Sequence, residues 1–511
     1  PELRAWLGST ASKMTPPELI KTLLQAPVDL LYNGGIGTYV KASSQSHQEA
    51  NDRGNDILRV DASQLKARVI GEGGNLGLTQ KGRIEFALNG GRIFTDAIDN
   101  SAGVDCSDHE VNIKILLAGL IRRGDMTGKQ RDVLLASMTD AVASLVLADN
   151  YQQTQAIALE AAAGAGLIEV HGRLIRHLEA RGALHRSIEF LPDDKGLAER
   201  AQQKRGLTAP EIAVLLAYAK IALKETLLAS SLPDSEDVHQ LLVAYFPAPL
   251  LAHCRELLPA HPLRRDIIAT QLVNRLVNRM GTTFVMQLGD ETGASAAQVA
   301  GAWYAASSVL DAEALWQEIE SLDLVIDATR QLALMTGLRA MLAAATPLVL
   351  TQHLRGTRIA QLMTEYGSAV VATIGRIRQG RSGAVAITAL IDERAAIVAA
   401  FERVNLARAC GCPLNDVTEA LAILEGRIDL DWLAAAVSRL PAGNRWQARA
   451  RAQLGSELAG LRQHLLRQVL GGSLPATAEA SVVLDELKGN EPQDLAMLSA
   501  GLAEIRRLLV L

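Results

Sequence analysis

Four cysteines in 511 residues, Cys106, Cys254, Cys410 and Cys412, are too few and too scattered for a disulfide framework. A reducing compartment, the cytoplasm, is therefore expected. Aromatic residues make up only 4 % of the chain, and the formal charge is −5. That charge leaves no electrostatic footprint for a nucleic-acid partner. No run reaches the roughly 20 apolar residues of a membrane helix. The nearest, LRAMLAAATPLVL at 338–350, is interrupted by Arg339 and Pro347. The opening PELRAWLGSTASKM has no basic-then-apolar signal and no initiator Met, so Pro1 is read as a cut inside a longer protein. Two chemical signatures are also missing. There is no G-x-G-x-x-G dinucleotide turn, and no G-x-S-x-G elbow surrounds Ser107.

What is present divides into two regions. Residues 1–122 are glycine-rich, and short apolar runs alternate with helical ones. Thr15-Pro16-Pro17-Glu18 is a capping box with proline in the first turn, which predicts a helix over 16–25. VDLLYNGGIG and LKARVIGEGGN read as buried strands ending in glycine turns, and RIFTDAID (92–99) as a third strand. SHQEANDRGNDI and KGRIEFALNGG read as intervening helices, which predicts a parallel α/β sheet. A small α+β domain without a nucleotide fits the same periodicity.

From residue 123 to 511 the pattern is helix after helix. Leu135, Met138, Val142 and Leu145 share one helical face. Thr208-Ala209-Pro210-Glu211 opens another helix, and amphipathic runs follow near 263–280, 296–320, 324–345, 384–409, 446–470 and 493–509. No fixed repeat period is present. This region reads as an all-α domain serving as scaffold or interaction surface.

Chemistry-bearing side chains crowd into DNSAGVDCSDHE (99–110). A nucleophile such as Cys106 or Ser107 beside His109 suggests acyl transfer, but triad members usually converge from distant segments. Ser107-Asp108-His109-Glu110 reads instead as a capping box for the helix VNIKILLAGLI. Asp96, Asp99, Asp105 and Asp108 lack the D-x-D-x-D-G calcium loop, so no metal site is assigned. Asp105 and Asp108 are read as favourable charges at a helix N-terminus. Cys410-Gly411-Cys412 lacks a second ligand pair for zinc and reads as two thiols at a glycine-terminated helix end. The glycines Gly34, Gly35, Gly73 and Gly74 allow close backbone approach to a ligand, although a plain tight turn has the same composition.

DLLYNGGIGTYVKAS and ARVIGEGGNLGLTQKGRIEFALNGGRIFTDAIDNSAGVDCSDHEVNIKILL together resemble the large bacterial NAD-dependent glutamate dehydrogenases. LTAPEIAVLLAYAK, HPLRRDIIATQLVNRLVNRMG and NRWQARAR extend the resemblance through the helical region. It covers essentially the whole chain, as the C-terminal part of a longer enzyme.

The resemblance implies a partial Rossmann-like region over 1–122, the C-terminal part of the NAD-binding catalytic domain, followed by a helical C-terminal domain over 123–511. It implies NAD as cofactor, L-glutamate and 2-oxoglutarate as substrate and product, and a homo-oligomer, with no nucleic acid and no membrane. Glu72-Gly73-Gly74-Asn75 matches the family's E-G-A-N segment, with glycine for alanine, which places Gly74 and Asn75 at the nicotinamide end. The family's proline and threonine after that segment are replaced here by Leu76-Gly77-Leu78-Thr79. Gly34 and Gly35 would lie on the adenosine side. Ala102-Gly103-Val104-Asp105-Cys106-Ser107 matches G-G-V-x-x-S apart from its first residue. Val104 would then pack on glutamate methylenes and Ser107 would hydrogen-bond the distal carboxylate. The family's catalytic lysines and aspartate have no counterpart, so catalytic residues are expected upstream of Pro1 and the chain is expected to be inactive alone. Two other readings compete: an all-helical oligomerisation or regulatory module, and a hydrolase centred on 106–109.

Overall fold

The computed structural model describes residues 13–441 and 444–510. The chain divides into two compact units, Pro1–Thr283 and Phe284–Leu511. The change of composition near residue 122 is therefore a change from strands to helices inside the first unit.

In that unit α1 (Pro16–Leu24) begins at the capping box, where Glu18 Oε2 accepts the Thr15 N–H at 2.8 Å. Four short strands follow: β1 (Leu30–Asn33), β2 (Val40–Lys41), β3 (Val60–Asp61) and β4 (Val69–Glu72). β1 pairs in parallel with β4, from Leu30 opposite Val69 to Asn33 opposite Glu72. β2 pairs in parallel with β3. Their shared core is Val40, Val60, Ala62, Ala67, Ile70, Leu78, Phe86 and Ile93. Burying each large aliphatic among these contributes about 1.5–3 kcal/mol.

Two sequence expectations change here. The third strand shrinks to a single parallel bridge, in which Arg92 accepts from Ile70 N and donates to Arg68 O. Beyond it the chain turns into the short helix α3 (Asp96–Asp99), because the Asp96 and Asp99 carboxylates bond backbone N–H groups of the β4 turn. The helix expected over SHQEANDRGNDI is instead two single 3-10 turns, Gln48–Ala50 and Arg53–Asn55. Asp52 is committed elsewhere, accepting Thr38 N–H at 2.7 Å and Asn55 Nδ2 at 2.6 Å. Local side-chain bonding of this kind competes with helix formation.

The remaining elements of the unit are α2 (Gln80–Leu88), α4 (Ser101–Arg123), α5 (Gly128–Ser137), α6 (Thr139–Ala163), α7 (Ile168–Ala180), α8 (Asp194–Gln202), α9 (Ala209–Leu228), α10 (His239–Tyr245), α11 (Ala248–Cys254) and α12 (Arg264–Met280). α6, α9 and α12 pack mutually, α4 lies on α6, and α9 contacts α2. Thr208 opens α9 as expected, with Glu211 Oε2 accepting Thr208 N–H at 2.7 Å. Met138 is buried at the junction of α5 and α6, so the apolar face through Leu135 and Val142 crosses two helices.

The second unit is helical throughout its described residues: α13 (Phe284–Thr292), α14 (Ala296–Val309), α15 (Ala312–Glu320), α16 (Ala328–His353), α17 (Ile359–Arg378), α18 (Gly383–Asp392), α19 (Arg394–Cys410), α20 (Leu414–Glu425), α21 (Leu430–Arg439), α22 (Arg445–Leu470), α23 (Ala478–Gly489) and α24 (Leu495–Val510). α14, α16, α17 and α19 form one packed group. A second core joins α21 to α24 around Leu433, Leu465, Leu484 and Leu502. Gly411 ends α19 with φ 69°, as the sequence suggested.

The apolar run at 338–350 belongs to α16, a continuous helix of 26 residues that is long and apolar enough to cross a membrane by length and composition. Its Leu338, Leu342, Ala345 and Val349 are fully buried against neighbouring helices of the unit. Pro347 is accommodated without a break.

Candidate functional site

Parallel pairing of β1 with β4 sends two glycine turns out of the same carboxyl edge. Asn33-Gly34-Gly35 leaves β1 beside Glu72-Gly73-Gly74-Asn75 leaving β4. Ligands of open α/β sheets bind outside such edges. The turns touch: Gly74 N donates to Asn33 O at 3.0 Å. A Cβ on Gly74 would stand 2.5 Å from Gly35 O, so a side chain there would separate the loops. At Gly35 a Cβ would meet nothing within 4 Å, and at Gly34 only the Tyr32 ring. Gly35 thus offers bare backbone to an approaching molecule.

Asn75 is exposed and accepts, through Oδ1, a hydrogen bond from Asn100 Nδ2. This leaves its Nδ2 as the amide's donor group. Asn100 also occupies the N-cap position of α4, so Asn75 stands beside the start of the helix that carries Val104 and Ser107. Val104 is 76 % exposed, and Ser107 is exposed three residues along the same face. The structure thus brings Gly34, Gly35, Gly74 and Asn75 to one edge, beside the first residues of the helix on which Val104 and Ser107 are exposed.

The capping-box reading of Ser107 is corrected. α4 begins at Ser101, so Ser107 lies in its second turn, with Oγ donating to Gly103 O at 3.3 Å. Glu110 does not reach back; it pairs with Lys114. Asp105 and Asp108 likewise lie beyond the first turn, where the helix dipole has faded. Packing explains the earlier start. His109, Asn112, Ile113, Leu116, Leu117 and Leu120 form the buried face of α4, and one more turn extends that face to Asp105.

Sequence reasoning passed over the groups that hold this edge in shape. Glu72 is fully buried and receives Arg83 Nε at 2.6 Å and Arg83 Nη2 at 2.9 Å. Its Oε1 also accepts Leu78 N–H at 3.0 Å. Arg83 Nη2 lies 3.2 Å from Asp96, whose other oxygen accepts Leu76 N–H at 2.7 Å. Those bonds support Leu76 at φ 57°, a left-handed conformation uncommon for leucine. Burial lowers the Arg83 pKa, but the Glu72 hydrogen bonds and charge more than offset it and keep the guanidinium cationic. Asp99 accepts Glu72 N–H at 2.8 Å, and its carboxyl is pushed up to about 6, chiefly by burial and further by the Glu72 charge. The signal for this clamp was available, since Arg83 sits on a helix otherwise suited to packing against the strands.

On the inner face of α4, His109 stacks on Tyr245, with ring centroids 4.4 Å apart. Burial lowers the His109 pKa, which favours the neutral ring. Tyr245 donates to Asp108 Oδ2 at 2.8 Å and accepts from Asn112 Nδ2 at 2.8 Å. The imidazole of His109 therefore points inward, away from the exposed Ser107 and Cys106. All four cysteines are free thiols, and burial pushes those of Cys254 and Cys410 up, Cys254 to about 11. Within 106–109, His109 is thus not placed to activate Cys106 or Ser107 as a nucleophile.

The family described as bacterial NAD-glutamate dehydrogenase, catalytic domain, matches residues 1–160. The family described as glutamate dehydrogenase, C-terminal, matches 204–384 and 384–508. An NAD-specific glutamate dehydrogenase of Pseudomonas aeruginosa is 42 % identical over 476 residues, covering 90 % of this chain and 29 % of the relative. Those of Halomonas elongata and Mycobacterium tuberculosis are 40 % and 36 % identical, over 92 % and 99 % of this chain and 30 % and 34 % of the relatives. The chain thus spans about a third of the length of these curated relatives. It belongs to the bacterial NAD-glutamate dehydrogenase family and corresponds to its C-terminal portion.

Proposed function

We propose that this chain supplies one wall of the active site of an NAD-dependent glutamate dehydrogenase, which deaminates L-glutamate oxidatively to 2-oxoglutarate and ammonia. The observation that carries the reading is the convergence of two glycine turns and the start of α4 at one carboxyl edge of parallel strands. Residues 1–122 then act as the C-terminal part of a Rossmann-like domain. NAD, when bound, accepts the hydride from Cα of glutamate.

The chain's own residues position the reactants. Gly34 and Gly35 let the adenosine side approach bare backbone, and Gly74 keeps the neighbouring turn low enough to permit it. Asn75, oriented by Asn100, presents its amide N–H to the nicotinamide carboxamide. Val104 covers the glutamate methylenes, and Ser107, one helical turn along, reaches the distal carboxylate. Its hydroxyl is bonded only to a helix carbonyl at 3.3 Å, so it can rotate to donate to an anion. The proton-transfer groups belong to a substrate domain outside these 511 residues, and the family reading also carries a homo-oligomer and a cytoplasmic location.

Two measurements test this. The 511-residue chain mixed with glutamate and NAD yields no NADH, and NADH formation at a measurable rate would overturn the division of labour. In the full-length enzyme, Asn75→Ala raises KM for NAD while leaving that for glutamate nearly unchanged; the reverse pattern would reject the assignment.

A further inference from the structure

The buried side of α4 holds a polar cluster that the glutamate reading does not use. Asp105 and His109 are four residues apart and so lie on one face of the helix. Asp149 reaches the same point from α6. One ligand-type atom from each of the three lies within 4.8 Å of the others. His109 is 1 % exposed, and neither ring nitrogen has a hydrogen-bond partner. Asp105 Oδ2 is also buried without a partner. Buried polar atoms are nearly always satisfied, and three orphans on two residues facing one carboxylate need a common explanation.

We propose that Asp105, His109 and Asp149 form a binding site for a divalent transition metal of the zinc class, pinning α4 to α6. Two carboxylate oxygens and one imidazole nitrogen form a mixed set that suits zinc, manganese or cobalt better than calcium or magnesium, which favour oxygen alone. Metal bonds of 2.0–2.2 Å place tetrahedral ligand atoms about 3.3–3.6 Å apart, so the present spread closes with rotamer shifts of about 1 Å. The surroundings hold the ligands for this role. Tyr245 stacks on the imidazole and fixes its plane, while its hydroxyl donates to Asp108 Oδ2 and engages that oxygen. The charges facing Asp149 are Lys220 from α9 and Arg275 from α12; those facing Asp105 are the acidic Asp149 and Asp108. Among the described residues no cation faces Asp105, and a bound metal ion would supply one. Sequence spacing alone does not reveal this site, because its third ligand comes from a different helix. The proposal is independent of the glutamate reading.

The test uses the 511-residue chain carrying Cys410→Ser and Cys412→Ser, which removes the thiol pair as a competing metal ligand. After chelation and dialysis, Co2+ is titrated by calorimetry and by visible absorption. The expected result is one equivalent bound, with d–d bands, no thiolate charge-transfer band and a raised unfolding temperature. His109→Gln and Asp149→Asn, checked for native circular dichroism, are expected to weaken binding by more than the roughly 10–100-fold typical of losing an outer-shell partner. Failure of the parent chain to bind Co2+ or Zn2+ overturns the proposal whatever the variants do. Unchanged affinity in both folded variants also overturns it.

Discussion

Arg83→Met tests whether the carboxyl edge of β1 and β4 is held by charge pairing beneath it. The Glu72 carboxylate is fully buried, and its only cationic partner among the contacts described is Arg83, at 2.6 and 2.9 Å. Methionine fills much of the arginine stem's volume but leaves that carboxylate unpaired, with Asp96 and Asp99 nearby. Removing one partner of a buried pair costs about 3–5 kcal/mol. Because Glu72 also holds Leu78 N–H and Asp96 holds Leu76 N–H, the cost falls first on the turn at 73–78. Native-state hydrogen exchange followed by mass spectrometry reads it directly. At the lower figure, protection of peptides spanning residues 73–79 falls roughly 150-fold. Glu72→Gln combined with Arg83→Met removes the charge as well as its partner, and recovers most of that protection, since replacing both members of a buried pair is often close to neutral. Equal losses in the single and double variants would refute the argument, because the cost would then come from lost packing and not from an orphaned charge.

Four further outcomes follow from the same geometry. Ser107→Ala leaves stability unchanged or raises it by up to about 0.5 kcal/mol, as expected for alanine inside a helix, while KM for glutamate rises in the full-length enzyme; a loss of about 1 kcal/mol in urea denaturation would restore the capping role. Gly74→Ala forces a methyl group to 2.5 Å from Gly35 O and abolishes NAD binding through loop displacement, seen as lost protection at both turns. Gly35→Ala meets no neighbour and keeps native protection, yet weakens NAD binding if the cofactor lies there; unaltered affinity in the full-length enzyme would move the cofactor elsewhere. Asp99, raised from 3.8 to about 6, holds its proton more tightly when folded, so its contribution is present below about pH 4 and is lost as pH rises through about 6. Asp99→Asn should remove up to about 3 kcal/mol of that slope between pH 4 and pH 6, measured as the difference in exchange protection of β4.

The readable parts of the chain were those fixed by local chemistry. Thr15 and Thr208 announced their helices because a capping box satisfies its own N–H groups. Gly411 marked a stop because a left-handed cap favours glycine. The unreadable parts were decided by distant contacts. Ser107 looked like a cap because S-x-x-E is a cap when a helix begins there, but packing of His109 and Asn112 against Tyr245 recruits the preceding turn. RIFTDAID looked like a strand by composition, yet its two aspartates are drawn to backbone donors around β4. For the site, the resemblance pointed to Asn75, Val104 and Ser107; the strand register sets the two glycine turns side by side, and the Asn100–Asn75 bond ties the start of α4 to them. Glu72 and Arg83 went unnoticed because neither offers a group to the ligand; their work is under the turn.

The continuity of α4 has a mechanical consequence. Twenty-three residues without a break make a rod about 35 Å long, from Asn100 beside the glycine turns to Gly124. A helix is stiff along its axis, so Val104 and Ser107 cannot shift toward a ligand independently of Asp105 and His109. Each residue is advanced about 100° from the one before it, and that phase is locked. Any pull on the outer face must therefore rotate or tilt the inner face against α6 and Tyr245. The outer face that carries Val104 and Ser107 is thus coupled through one backbone to the cluster on the buried side.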